Sequence, residues 1–351
     1  MIDTNDEEIG LIRESAAAVA PPGGDLRRVR ALRFATPGFD PATWATMREM
    51  GWPGFRVAEA EGGAGLGMRA FCALIEELGA GLVPEPLIGA AMAAAIHPPL
   101  LADDRLVLPA WQERPNSLAM AQDTRFAGGR LTGRKVFVPM AAGAQAFVVT
   151  ARGGTALVAA DAPGVTLETV ATQDGSHFGT LTFDDAPAEA IGGDDPAARA
   201  EAAREDATLA TAAYLLGLAT RAFALTLDYM KTRQQFGRPI GSYQALQHRA
   251  VDLQVQLALT RASLEAAART LDTTDAPDTR RAAVSRAKAR ASDAAMLVTR
   301  EAIQLHGGIA YTDEYDAGLF LRKAMVVAPL FGGAALHRAR YATTEPEGDD
   351  G

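Results

Sequence analysis

An α+β protein is what this 351-residue sequence predicts: an N-terminal helical domain, a small central β domain and a C-terminal bundle of long helices. Three observations carry the prediction. Two long apolar stripes recur at helical spacing toward the C-terminus, and β-branched runs separated by turn residues replace that period in the middle. Aromatics make up only 6% of the chain while Ala and Gly abound, a composition that lets helices approach closely. With 48% apolar residues at this length, more than one core is expected.

Residues 1–103 read as short helices punctuated by Pro and Gly. Asp40-Pro41 is a helix-start signal, and Trp44, Met47 and Met50 follow at helical spacing. A second helix is expected over residues 68–79, with Leu74, Ile75 and Leu78 on one face. Between them, residues 59–67 (EAEGGAGLG) form a Gly-rich loop that reads either as a phosphate cradle or as a turn needing positive φ. No strand precedes it, so the turn is the better supported reading. Cys72 is the single cysteine, which excludes an internal disulfide, and its apolar setting reads as core.

Over residues 104–195 the pattern changes to strands. FVVT (147–150) and ALVA (156–159) flank Arg152-Gly153-Gly154-Thr155, a hairpin signal, and residues 165–170 and 180–183 supply two more candidate strands. Residues 196–343 return to helix. Leu246, Ala250, Leu253, Leu257, Thr260, Leu264, Ala267 and Leu271 recur at steps of four and three, the seam of a helix that crosses its neighbours at a shallow angle. Val284, Ala287, Ala291, Ala294, Val298, Ala302 and Leu305 give a second stripe, and residues 208–232 a third helix. Pro329 should bend or break the last helical segment. Residues 344–351 read as an acidic tail.

A net charge of −9 without a Lys/Arg cluster argues against a nucleic-acid partner. The acidic opening is unlike a leader, and no uninterrupted apolar run of about 20 residues marks a membrane helix, so a cytoplasmic protein is expected. His248 and His306 lack metal-spaced partners; both read as packing residues, and no metal is expected.

Two stretches are similar to the acyl-CoA dehydrogenase family: YMKTRQQFGRPIGSYQ at 229–244 and EAIQLHGGIAY at 301–311. Gly51-Trp52, residues 62–65 and residues 131–135 extend the likeness over most of the chain. The resemblance implies helices, then a β domain, then a four-helix bundle. It also implies FAD, an acyl-CoA thioester substrate, and a cofactor whose pyrophosphate and adenine reach a neighbouring subunit. Carried over to this sequence, Arg233 is a guanidinium fork for the pyrophosphate and Phe236 packs by the adenine. Gln244 and Gln304 serve the adenine end, while Gly307 and Gly308 let backbone approach the cofactor. The plainer alternative is that Arg233 and Gln304 are solvated and the glycines cap a helix.

The family also needs a carboxylate to remove the α-proton while hydride leaves Cβ, and here the sequence departs. In many members the base is a Glu in a turn near the C-terminus. Aligned on Arg322 and Arg338, that turn is Leu330-Phe331-Gly332-Gly333, so Phe331, which cannot accept a proton, stands at the Glu position. Other members place the base on the first bundle helix, where counting back from Gly217 gives Ala207; Asp206 is a candidate only if that helix start is shifted. Otherwise Glu205 and Asp206 are an acidic first turn complementing the helix dipole. The family's Thr-Glu loop and Trp-x-Thr element, which face the flavin ring, are replaced by a shortened 119–125 loop and by Phe137-Val138-Pro139.

The resemblance thus implies a subunit of a heteromeric acyl-CoA dehydrogenase that completes the FAD site of a paralogous partner. Branches of that kind act on bulky CoA thioesters, including steroid side chains. Two alternatives stay open: an active homo-oligomer with a relocated base such as Asp206, and an assembly protein on the same scaffold.

Overall fold

The computed structural model describes residues 6–193 and 195–344; the acidic opening residues 1–5 and the tail beyond residue 344 lie outside the described residues. Helices α1 (Asp6–Ala16), α2 (Arg27–Leu32) and α3 (Pro41–Glu49) come first. The Asp40 carboxylate accepts from Ala42 N at 3.0 Å, and Pro41 fills a first-turn position where its missing N–H costs nothing. The Gly-rich loop is a turn, with Gly62 and Gly65 at φ 89° and 63°. Next come α4 (Met68–Ala80) and the apolar α5 (Leu87–Ile96).

Eight strands follow: β1 (Val107–Ala110), β2 (Arg125–Ala127), β3 (Arg130–Pro139), β4 (Ala146–Ala151), β5 (Gly154–Ala159), β6 (Val165–Ala171), β7 (His177–Pro187) and β8 (Glu189–Ile191). They form two four-stranded sheets, ordered β1-β4-β5-β8 and β2-β3-β7-β6. Only β1 and β4 pair in parallel. The expected hairpin joins β4 to β5, with Ala151 opposite Gly154. The β3–β7 register shifts between Lys135 and Val138, and within that bulge Phe137 takes φ 57°.

Helix α6 (Pro196–Thr232) begins well before residue 208, where its apolar pattern starts. Asp195 Oδ1 accepts from Ala198 N at 3.0 Å, and the Ala-rich residues 196–207 are strong helix formers. Asp206 therefore lies about three turns into the helix, which corrects the acidic-first-turn reading. By length and hydropathy α6 is able to cross a membrane, yet 78% of its apolar window is buried within the protein. A short hairpin, β9 (Gln234–Gln235) and β10 (Arg238–Pro239), leads to α7 (Gln244–Thr273), α8 (Pro277–His306), α9 (Ala317–Val327) and α10 (Ala334–Thr343). Pro329 falls in the break between α9 and α10.

The chain divides into two compact units. The first comprises Arg28–Gly67 and Pro84–Ala207, and holds α3, α5 and both four-stranded sheets. The second comprises residues 6–27, Met68–Val83 and residues 208–344, and holds α1, α4, most of α6, and α7 to α10. In that second unit both sequence stripes are buried except Leu246, which is half-buried near the α7 start. There α4 and α6 cross backbone to backbone: a Cβ at Gly79 would overlap the Tyr214 carbonyl, and one at Gly217 the Glu76 carbonyl.

Candidate functional site

At the close of α6, Arg233 and Ile240 shut the base of the hairpin, Ile240 N donating to Arg233 O at 2.8 Å. Gln235 faces Arg238 across it, so the two-residue turn is Phe236-Gly237, at φ 53° and 81°. Both signs positive define a primed turn, the kind that matches strand twist but favours Asn and Gly over Phe. Tyr243 braces the hairpin, its hydroxyl donating to Gln235 O at 3.0 Å and its ring lying 4.1 Å beneath the Arg238 guanidinium. The consequence is a presented aromatic: Phe236 is 93% exposed. Arg233 is also exposed, and its guanidinium has no partner among the described residues.

The other predicted residues lie at the same end of the bundle. Gln244 opens α7, and Gln304 sits in the last turn of α8, which runs back past α7 and is tied to it by an Arg249–Glu301 ion pair. The closing turns of α6 and α8 are joined by rings, with His306 packed 4.5 Å from Tyr229 and 4.8 Å from Tyr315. His306 Nδ1 donates to the Ala302 carbonyl at 2.7 Å, so the histidine is a buried packing residue, and burial lowers its pKa. His248 is exposed. Gly307 does cap α8, at φ 68°, but beyond it and Gly308 nothing lies within 4 Å of where a Cβ would stand. A free guanidinium, an exposed ring, two amides and two open glycines are a donor set that fits the phosphates and base of a dinucleotide.

The residues at the two positions where the resemblance expects a base are enclosed or already paired. Phe331 is 8% exposed, at φ 55° in the bend between α9 and α10. In the first unit, Asp206 Oδ2 accepts from Arg56 Nε at 2.9 Å, and Arg56 Nη1 also donates to Leu66 O at 3.0 Å, tying α6 to the Gly-rich loop. Glu205 is buried against Arg204, 2.6 Å away. Both carboxylates thus have arginine partners. Among the described residues no cluster of His, Cys, Asp and Glu could hold a metal ion.

One pair escaped the sequence reading. Lys135, buried on β3, donates to Glu113 Oε1 at 2.7 Å, to Met120 O at 2.7 Å and to Trp111 O at 3.0 Å. Glu113, just beyond β1, also accepts backbone N–H groups from Gln122, Asp123 and Thr124. The 113–124 loop is thereby gathered onto one carboxylate. Burial opposes ionisation of Glu113, but the Lys135 ammonium and those N–H groups outweigh it and hold the carboxyl at about 2. Burial brings Lys135 down to about 8 against the raising pull of Glu113. The signal was present: Leu131, Gly133 and Lys135 alternate along β3, and a lysine at an inward position requires an acid. Phe137 is 40% exposed and meets Phe178 edge-on at 6.1 Å. A separate cleft of about 550 Å³ is bordered by Trp44, Gly62, Ala93 and Leu101; its rim arginines, Arg48 and Arg105, are paired with Asp104 and Asp103.

This fold is that of the acyl-CoA dehydrogenases, a flavin-dependent family. The family's C-terminal domain matches residues 200–344 and its N-terminal domain residues 7–102, and the chain belongs to the acyl-CoA dehydrogenase family. It is 34% identical over 328 residues to acyl-CoA dehydrogenase IpdE2 of Mycolicibacterium smegmatis, spanning 93% of this chain and 95% of that protein. Among solved structures, the Tcur3481-Tcur3483 steroid ACAD superposes with a TM-score of 0.85 at 31% identity, covering 96% of this chain and 97% of that one. The ChsE4-ChsE5 complex from Mycobacterium tuberculosis does so at 0.81 and 26%, covering 97% of each chain.

Proposed function

We propose that this chain is one subunit of a heteromeric, FAD-dependent acyl-CoA dehydrogenase, that it completes the dinucleotide end of a flavin site shared with a paralogous partner, and that the partner supplies the base. The observation that carries the reading is a contrast in one chain. Its hairpin presents Arg233 and Phe236 unpartnered, while a buried phenylalanine, Phe331, stands where the resemblance expects the Glu base. Bound FAD supplies the hydride acceptor for desaturation between Cα and Cβ of the thioester. Arg233 offers the pyrophosphate a planar pair of donors, each charged hydrogen bond worth about 1.5–3 kcal/mol. Phe236 would stack on the adenine, Gln244 and Gln304 would offer it their amides, and the open space beside Gly307 and Gly308 would leave room for the phosphates.

Further support for a second chain comes from α7, whose outward face carries Val251, Val255 and Leu259 at 59%, 48% and 50% exposure. The two structural relatives named above are themselves pairs of unlike chains. By analogy with the steroid ACAD, the proposed substrate is a bulky polycyclic CoA thioester. The pairing of Asp206 with Arg56 weighs against a homo-oligomer that uses Asp206 as its base.

The test is flavin content. Expressed alone, the chain should purify without stoichiometric FAD; co-expressed with a paralogue that carries a carboxylate base, it should give a yellow complex with one flavin per pair of unlike chains. Stoichiometric FAD and desaturase activity in the chain alone would overturn the proposal, and so would a flavin-free complex.

A further inference from the structure

The register of the β9–β10 hairpin decides which of its side chains share a face. Gln235 lies opposite Arg238 and Gln234 opposite Pro239, and the bond from Ile240 N to Arg233 O at 2.8 Å carries the pairing one step further. Side chains alternate along a strand, and directly opposed residues share a face. Arg233, Gln235 and Arg238 therefore stand on one face of the hairpin, with Gln234 and Pro239 on the other. Arg233 and Arg238 are diagonal neighbours there, a relation that spaces residues about 7–8 Å apart.

Arg238 is exposed, and its guanidinium makes no hydrogen bond or ion pair among the described residues. Its guanidinium carbon lies instead 4.1 Å from the centre of the Tyr243 ring. That ring is itself pinned, since the Tyr243 hydroxyl donates to Gln235 O at 3.0 Å. Stacking occupies the flat face of a guanidinium and leaves its N–H groups, which point outward in the plane, uncommitted. The nearby Asp228 offers no relief, because it pairs with Lys231 at 3.3 Å. Two uncompensated cations on one face of a short hairpin repel each other, and an anion lying across both removes that repulsion.

We propose that Arg238 is a second phosphate-binding residue: Arg233 and Arg238 each take one phosphoryl group of a diphosphate, and the hairpin thereby selects a dinucleotide diphosphate over a mononucleotide. Tyr243 holds Arg238 in place, so the two forks are separate anchor points rather than one clamp closing on a single phosphate. A guanidinium already fixed on a ring also loses less side-chain freedom when it binds. The Gln235 amide, on the same face between the two arginines, is a further donor toward the bridge of the diphosphate.

The second fork presupposes a dinucleotide at this end of the bundle, and titrating the full chain with ADP and with AMP, read from arginine Nε–H signals in ¹⁵N NMR, separates the two claims. Both arginines are exposed, so neither variant disturbs the core. ADP reaches both forks, and Arg233→Ala and Arg238→Ala should each weaken it about 10- to 100-fold. AMP reaches one fork, so only one of the two variants should weaken it. ADP weakened by a single variant overturns the second fork and leaves the dinucleotide site standing. AMP weakened by both as much as ADP overturns it too, since a residue that only braces the hairpin would act on both nucleotides alike. If ADP does not bind, or binds unchanged in both variants, the dinucleotide reading falls and the second fork with it.

Discussion

The exposed end of the bundle and the loop behind β1 treat their polar groups in opposite ways. Arg233, Gln244 and Gln304 face solvent beside an exposed Phe236, and their side chains have no bonding partner among the described residues. In the 113–124 loop, Glu113 collects three backbone N–H groups and a lysine, and Lys135 is used up on that carboxylate and two carbonyls. A polar group with a role toward a molecule outside the chain has to stay free of its own chain. One with no such role, once buried, must be satisfied internally, because an orphaned buried donor or acceptor costs about 1–3 kcal/mol. On this criterion the bundle end around Arg233 is kept open and the 113–124 loop is sealed.

Breaking the sealed region should have the largest effect. Lys135→Met strands the Glu113 charge in the interior and should destabilise the protein by about 3–5 kcal/mol in denaturant unfolding. The same pair sets an acid limit. Glu113 is held at about 2 against an ordinary 4.5, so its contribution is complete above 4.5 and fades as pH falls from there toward 2. Unfolding curves in that window should converge with those of Glu113→Gln; parallel curves would mean that the carboxylate is not held as described. At the open region the effect should be smaller and of another kind. Arg233→Ala should leave the melting temperature unchanged and weaken FAD retention by the mixed complex about 10- to 100-fold. A drop in stability without flavin loss would make Arg233 structural.

Much of this contrast could be read before any coordinates. The stripe from Ala250 to Leu271 and that from Val284 to Leu305 are buried as their spacing required, and Asp40, Gly62 and Pro329 sit where their backbone chemistry placed them. Local signals of this type act within one element. The start of α6 was harder, since Ala-rich residues 196–207 extend a helix without adding an apolar stripe. Glu113 with Lys135 was illegible for a deeper reason: the pair joins chain segments brought close only by folding. The family motifs located Arg233 and Phe236, but spacing alone says nothing of whether a side chain is buried, and the primed turn that lifts Phe236 outward needs backbone angles to be seen.

That turn gives the finest test of the contrast. Phenylalanine at φ 53° is strained by about 1–2 kcal/mol, and glycine at this position removes the strain while giving some of it back as unfolded-chain entropy. Phe236→Gly should therefore stabilise the isolated chain slightly, by up to about 1 kcal/mol. In the mixed complex the same change removes a stacking partner worth about 1–3 kcal/mol to a base, so flavin retention should weaken even as the chain grows more stable. Opposite signs from one substitution separate a residue kept for a ligand from one kept for the fold. Unchanged flavin retention would mean that this ring touches no nucleotide, and the strain at Phe236 would then need a different explanation.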